Sequence, residues 1–111
     1  MVHNLRVTNT KHLKIITKKE LNMILIKYLD EFSNDEIFLS LEDISSIVIK
    51  IESELKSVFI DTLGNLVYEL TFINAVSAQN VYDFLYNKFI EYKNSIYNMS
   101  SLLNEKNIEN A

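Results

Sequence analysis

In the last third of the chain, apolar residues recur at steps of three or four without interruption: Ala78, Val81, Leu85, Phe89, Tyr92, Ile96, Met99 and Leu103. On a helix this spacing draws a single stripe, and a stripe of that size has to be covered. A second line of large residues, Tyr82, Tyr86, Ile90 and Tyr97, falls on the adjoining face. A sheet packed against one side of the helix leaves that second line in water. The pattern therefore predicts a domain closed by a C-terminal helix and a surface that meets a partner.

Asn74 has the short polar side chain of a helix N-cap, which starts the helix at Ala75. Asn94-Ser95 and Ser100-Ser101 are weak helix formers, so the end falls between Lys93 and Leu103. Because the stripe runs through both pairs, one long helix is preferred to two short ones. Residues 1–103 then form a single α+β domain, with 104–111 as a disordered tail. Ile96, Met99 and Leu103 lie past the span a short sheet can cover, which predicts a homodimer through the distal helix.

Upstream, Leu13 to Thr17 reads as a strand, extended backwards through Leu5 to Thr8. Thr17 and Glu20 have the spacing of a capping box, and Leu21, Ile24, Leu25, Tyr28, Leu29 and Phe32 share one arc of a helical wheel. A capped helix over residues 18–32 is the expectation, stopped by Ser33-Asn34-Asp35. From Ile37 the period becomes two: strands are expected at Ile37 to Leu41, Ile47 to Glu52, around Val58 and Ile60, and over Leu66 to Phe72. Turns fall at Ser53 to Leu55 and at Leu63-Gly64-Asn65, where the single glycine supplies a positive φ. The fold class is α+β: an antiparallel meander of four to five strands, with both helices on one face. The meander and closing helix over Leu41 to Leu85 also resemble the second half of a pleckstrin-homology-like barrel. The helix at 18–32 departs from that pattern, since such barrels place strands there.

Composition removes several functions. Apolar residues make up 48% of the 111 residues, enough for a packed core, and no apolar run is long enough to span a membrane. Cysteine and proline are absent and Gly64 is alone, so thiolate chemistry, sulfur-bound zinc and glycine-rich phosphate loops are excluded. No cofactor is expected. The absence of cysteine and of an apolar leader fits a cytoplasmic setting. The wealth of asparagine and isoleucine over alanine fits an AT-rich bacterial, phage or viral genome.

Charge is unevenly placed. Arg6, Lys11, Lys14, Lys18 and Lys19 make residues 1–19 basic, while Asp30, Glu31, Asp35, Glu36, Glu42 and Asp43 make residues 28–49 largely acidic. The basic arm lacks interleaved aromatics, so nucleic-acid binding is the weaker alternative. Glu54-Leu55-Lys56 with Asp43 upstream has the form of a metal-dependent nuclease motif, but a hairpin between residues 47 and 61 holds the two acids too far apart for one ion. His3 and His12 have no acid or cysteine near them in sequence. The favoured function is therefore a non-enzymatic protein-binding module of the adaptor, inhibitor or immunity type. An acidic secretion chaperone is another alternative. Binding is assigned to Tyr82, Tyr86, Ile90 and Tyr97 on the helix and to the acidic edge Asp30, Glu31, Asp35 and Glu36.

Overall fold

Alternation of apolar and polar side chains governs nearly everything before residue 73. In the computed structural model, which describes the backbone of residues 1–52 and 54–109 and the side chains of 1–52 and 54–97, seven strands precede a single α-helix. They are β1 (Val2–Val7), β2 (Leu13–Lys18), β3 (Met23–Leu29), β4 (Asn34–Ser40), β5 (Ile44–Ile51), β6 (Lys56–Thr62) and β7 (Val67–Phe72), followed by α1 (Ala75–Glu109). Two sheets result, one in the order β1-β7-β6-β5 and one in the order β2-β3-β4. All neighbours are antiparallel except β1 and β7, which run parallel.

The helix expected at 18–32 is not formed. Thr17 and Lys18 end β2, Lys19–Leu21 make one 3-10 turn, and Asn22 takes the left-handed conformation (φ 51°) that lets the chain reverse into β3. Residues 23–29, Met-Ile-Leu-Ile-Lys-Tyr-Leu, are a short apolar run in which a period of two and a period of 3.6 share Ile24 and Tyr28. The burial pattern decides it: Ile24, Ile26 and Tyr28 are buried, whereas Leu29 is 58% exposed. Pairing with β2 on one side and β4 on the other satisfies the backbone of this central strand, and local helix propensity yields to it.

Four further expectations change. The single meander of four to five strands is divided: β4 pairs in the β2-β3-β4 sheet, and only β5, β6 and β7 follow one another in the other. Leu5 to Thr8 does not extend β2: a 3-10 turn at Thr10–His12, capped by the Asn9 side chain, sends β1 to the other sheet. In the β6–β7 turn the positive φ (65°) belongs to Asn65, and Gly64 has none. The sheets do not close into a barrel, since each keeps its own pairing and no shared strand joins them. The Asn74 cap does form, its side chain accepting from the Val76 and Ser77 amides at 2.7 and 3.3 Å.

The core lies between the sheets and under α1. Leu5, Val7, Ile24, Ile26, Ile37, Leu39, Ile44, Val58, Ile60, Leu70 and Phe72 meet Ala78, Leu85 and Phe89 of the helix. Two polar clasps tie one sheet to the other. The buried Tyr28 hydroxyl lies 2.8 Å from the Thr8 hydroxyl and accepts from the amides of Thr8 and Asn9, both at 3.3 Å. His3 on β1 reaches the Asp35 carboxylate on β4 at 3.0 Å. β2 alone among the strands supplies no buried residue: Leu13 and Ile15 are only half-buried, because α1 packs chiefly on β5, β6 and β7.

Candidate functional site

Between β2 and α1 runs a groove built by that mismatch. One stretch, about 350 Å³, is lined by Thr10, Leu13 and Ile15 on the strand side and by Ser77, Asn80, Val81 and Phe84 on the helix side. A second hollow, about 410 Å³, lies farther along the same two elements, lined by Thr17, Lys18, Lys19, Glu20, Met23 and Ile24 on one side and by Lys88, Glu91, Tyr92 and Ser95 on the other. Both have apolar floors, and the second has a charged rim. β2 is an edge strand, so alternate amides and carbonyls along it point away from β3 without a ladder partner.

The outer face of the same sheet carries ordered rows. Lys14, Lys27 and Glu36 lie side by side across β2, β3 and β4, and the next row is Ile16, Leu25 and Phe38. Lys27 and Glu36 form an ion pair at 3.3 Å. Lys14 faces Lys27 and, among the described residues, makes no ion pair. Ile16 and Phe38 are 41% and 56% exposed, so the apolar row is open to water.

The predicted aromatic line sits on the other flank of α1. Tyr82 and Tyr86 stack with ring centroids 5.4 Å apart and an interplanar angle of 20°; Tyr82 and Ile90 are half-buried against the core, and Tyr97 is exposed. Tyr86 is 38% exposed, so its ring is shared between stack and solvent. The stripe of the helix is buried at Ala78, Leu85 and Phe89, half-buried at Val81 and Tyr92, and 45% exposed at Ile96. The backbone stays helical through Ser100-Ser101 to Glu109, including much of the expected tail. The side chains of Met99 and Leu103 lie outside the described residues.

The acidic edge is largely engaged within the domain. Asp35 pairs with His3 and Glu36 with Lys27, while Glu31 is exposed at the β3–β4 turn. Asp30 shapes that turn: its carboxylate accepts from the amides of Phe32 and Ser33 at 2.8 and 2.7 Å and from the Ser33 hydroxyl at 3.0 Å. The Phe32 amide first, then the two Ser33 bonds and the charge of His12, hold the Asp30 carboxyl below its ordinary value against the opposing effect of desolvation. A lowered folded-state value means that the turn's contribution is complete above the ordinary aspartate range and is lost as pH falls through the lowered value. A carbon-detected NMR titration should place Asp30 below the ordinary aspartate value; titration at or above it would show that the turn is not held this way.

Asp43 and Glu54 stand at opposite ends of β5, so they do not face a common ion. Among the described residues, no three His, Asp or Glu side chains converge as a metal site. No described helix is long and apolar enough to cross a membrane. The groove escaped the sequence because it depends on β2 being an edge, which only the topology shows. Its sole sequence trace is Leu13, Ile15 and Thr17 alternating with Lys14, Ile16 and Lys18. No family model matches the sequence, and no curated protein or solved structure matches the chain.

Proposed function

We propose that the protein is a small protein-binding module that holds a segment of a partner polypeptide along the groove between β2 and α1. One observation carries the reading: the free edge of β2 borders an apolar-floored groove with charged walls, the arrangement by which sheets recruit an extra strand. A strand edge left open beside apolar surface is a liability unless something uses it. The test is a random-peptide display on the wild-type protein, counter-selected on Asn80→Trp. Asn80 is exposed on the helix, so the larger ring enters the groove without disturbing the core. Clones that enrich on the wild type and are lost on Asn80→Trp support the reading. Failure to enrich, or enrichment indifferent to the variant, contradicts it.

The distal helix supports a second reading, that two copies associate. Past Ser95 the helix continues for roughly 20 Å, and the molecule measures 61 × 27 × 25 Å, far longer than it is wide. Ile96 is exposed on the same stripe that is buried upstream, and pairing with a second copy would cover its continuation. Sedimentation at micromolar concentration should show a dimer that Ile96→Glu dissociates; a single 13.0 kDa species in the wild type would rule the association out.

A further inference from the structure

Resting on that groove reading, we infer that the occupant is an extended acidic segment that adds to β2 as a strand, with two acidic residues four positions apart and apolar residues between them. The register across the sheet dictates the pattern. On the outer face an added strand meets Lys14, then Ile16, then Lys18. Lys14 stands beside Lys27, whose charge Glu36 already balances at 3.3 Å. Like charges directly opposite each other destabilise a sheet, and an acidic residue beyond Lys14 completes a row of four in which each lysine has an acidic neighbour on its other side. At the next outward position, Ile16, Leu25 and Phe38 form an apolar row that a β-branched residue would extend. Lys18 calls for a second acid. The two intervening side chains turn inward, opposite Ile15 and Thr17, where the apolar floor receives them.

Charge supports the same occupant. Lys18, at the end of the outer row, also borders the second stretch of the groove beside Lys19; Lys88 and Glu91 of that stretch pair with each other at 3.6 Å, which leaves the two lysines against Glu20. A partner with acids at this end meets a basic rim on a protein whose net charge is −4. The sign of the local field, not of the whole molecule, selects it. Because acid, apolar and acid repeat symmetrically, the pattern reads the same in either strand direction.

The probe is a fluorescein-labelled peptide of sequence Ser-Glu-Leu-Ile-Val-Glu-Ser, followed by fluorescence anisotropy at physiological salt. Saturable binding is expected, weakened at least tenfold by N-methylation of alternate amides and at least tenfold by moving the second glutamate one position, which puts the acids on opposite faces. Lys14 and Lys18 are exposed, so Lys14→Glu with Lys18→Glu keeps the fold, which circular dichroism checks. That variant should lose the acidic peptide and gain Ser-Lys-Leu-Ile-Val-Lys-Ser. Equal binding of the two peptides to the wild type, no exchange of preference in the variant, or no saturable binding of the acidic probe overturns the inference. Groove-dependent clones from the display that are basic or helical would leave the protein-binding reading standing and remove this one alone.

Discussion

Ile26→Ala should lower the free energy of unfolding by about 2 to 5 kcal/mol, the cost of emptying a buried branched site, while Leu29→Ala should change it by about 0.5 kcal/mol or less, as at an exposed surface position. Ile26 is fully buried in the centre of the β2-β3-β4 sheet, with Ile15 and Ile37 as its cross-strand neighbours. Leu29 ends the strand at 58% exposure. The pair discriminates between the two conformations open to residues 23–29. A helix whose buried arc contains Leu21, Ile24, Leu25, Tyr28, Leu29 and Phe32 makes Leu29 costly to truncate and Ile26 cheap. A strand reverses the order. Chemical denaturation of the two variants measures both numbers under one set of conditions, and comparable losses would contradict the sheet.

The same segment shows how far the sequence could be read. The strands after Ile37 were legible because alternation there is long and turn residues mark its limits, as at Leu63-Gly64-Asn65. Helix α1 was legible because its stripe is long enough for a period of 3.6 to separate from a period of two. Residues 18–32 were not: a seven-residue apolar run satisfies both periods, and Thr17 with Glu20 imitates a cap. What decides between them is the pairing of Met23–Leu29 with strands on both sides, a non-local fact. The turn at Leu63-Gly64-Asn65 was placed correctly, but asparagine can take the left-handed conformation too, and Asn65 does.

Site residues divide along the same line. Tyr82, Tyr86, Ile90 and Tyr97 fall on one helix flank, as their spacing requires, because helical geometry is local. The acids at 30, 35 and 36 look like a free edge in one dimension and are largely engaged in three. Asp30 folds back on its own turn, and His3 and Lys27 reach Asp35 and Glu36 from other strands. Fixing their roles needs the position of residues far away in sequence, β1 being brought to β4 only through its parallel pairing with β7.

Amide hydrogen exchange tests most directly whether the free edge of β2 is the docking line. In the unbound protein, alternate amides of β2 point away from β3 and should exchange quickly, while those directed at β3 should be protected. Adding the Ser-Glu-Leu-Ile-Val-Glu-Ser peptide at ten times its dissociation constant should slow the outward amides by about tenfold, the factor mass action allows. β1, β4 and β5 are also edge strands, and their outward amides should not change. Protection that appears on β2 alone is the expected result. Outward β2 amides that are already slow in the free protein, or that stay fast when the peptide is bound, would contradict the account.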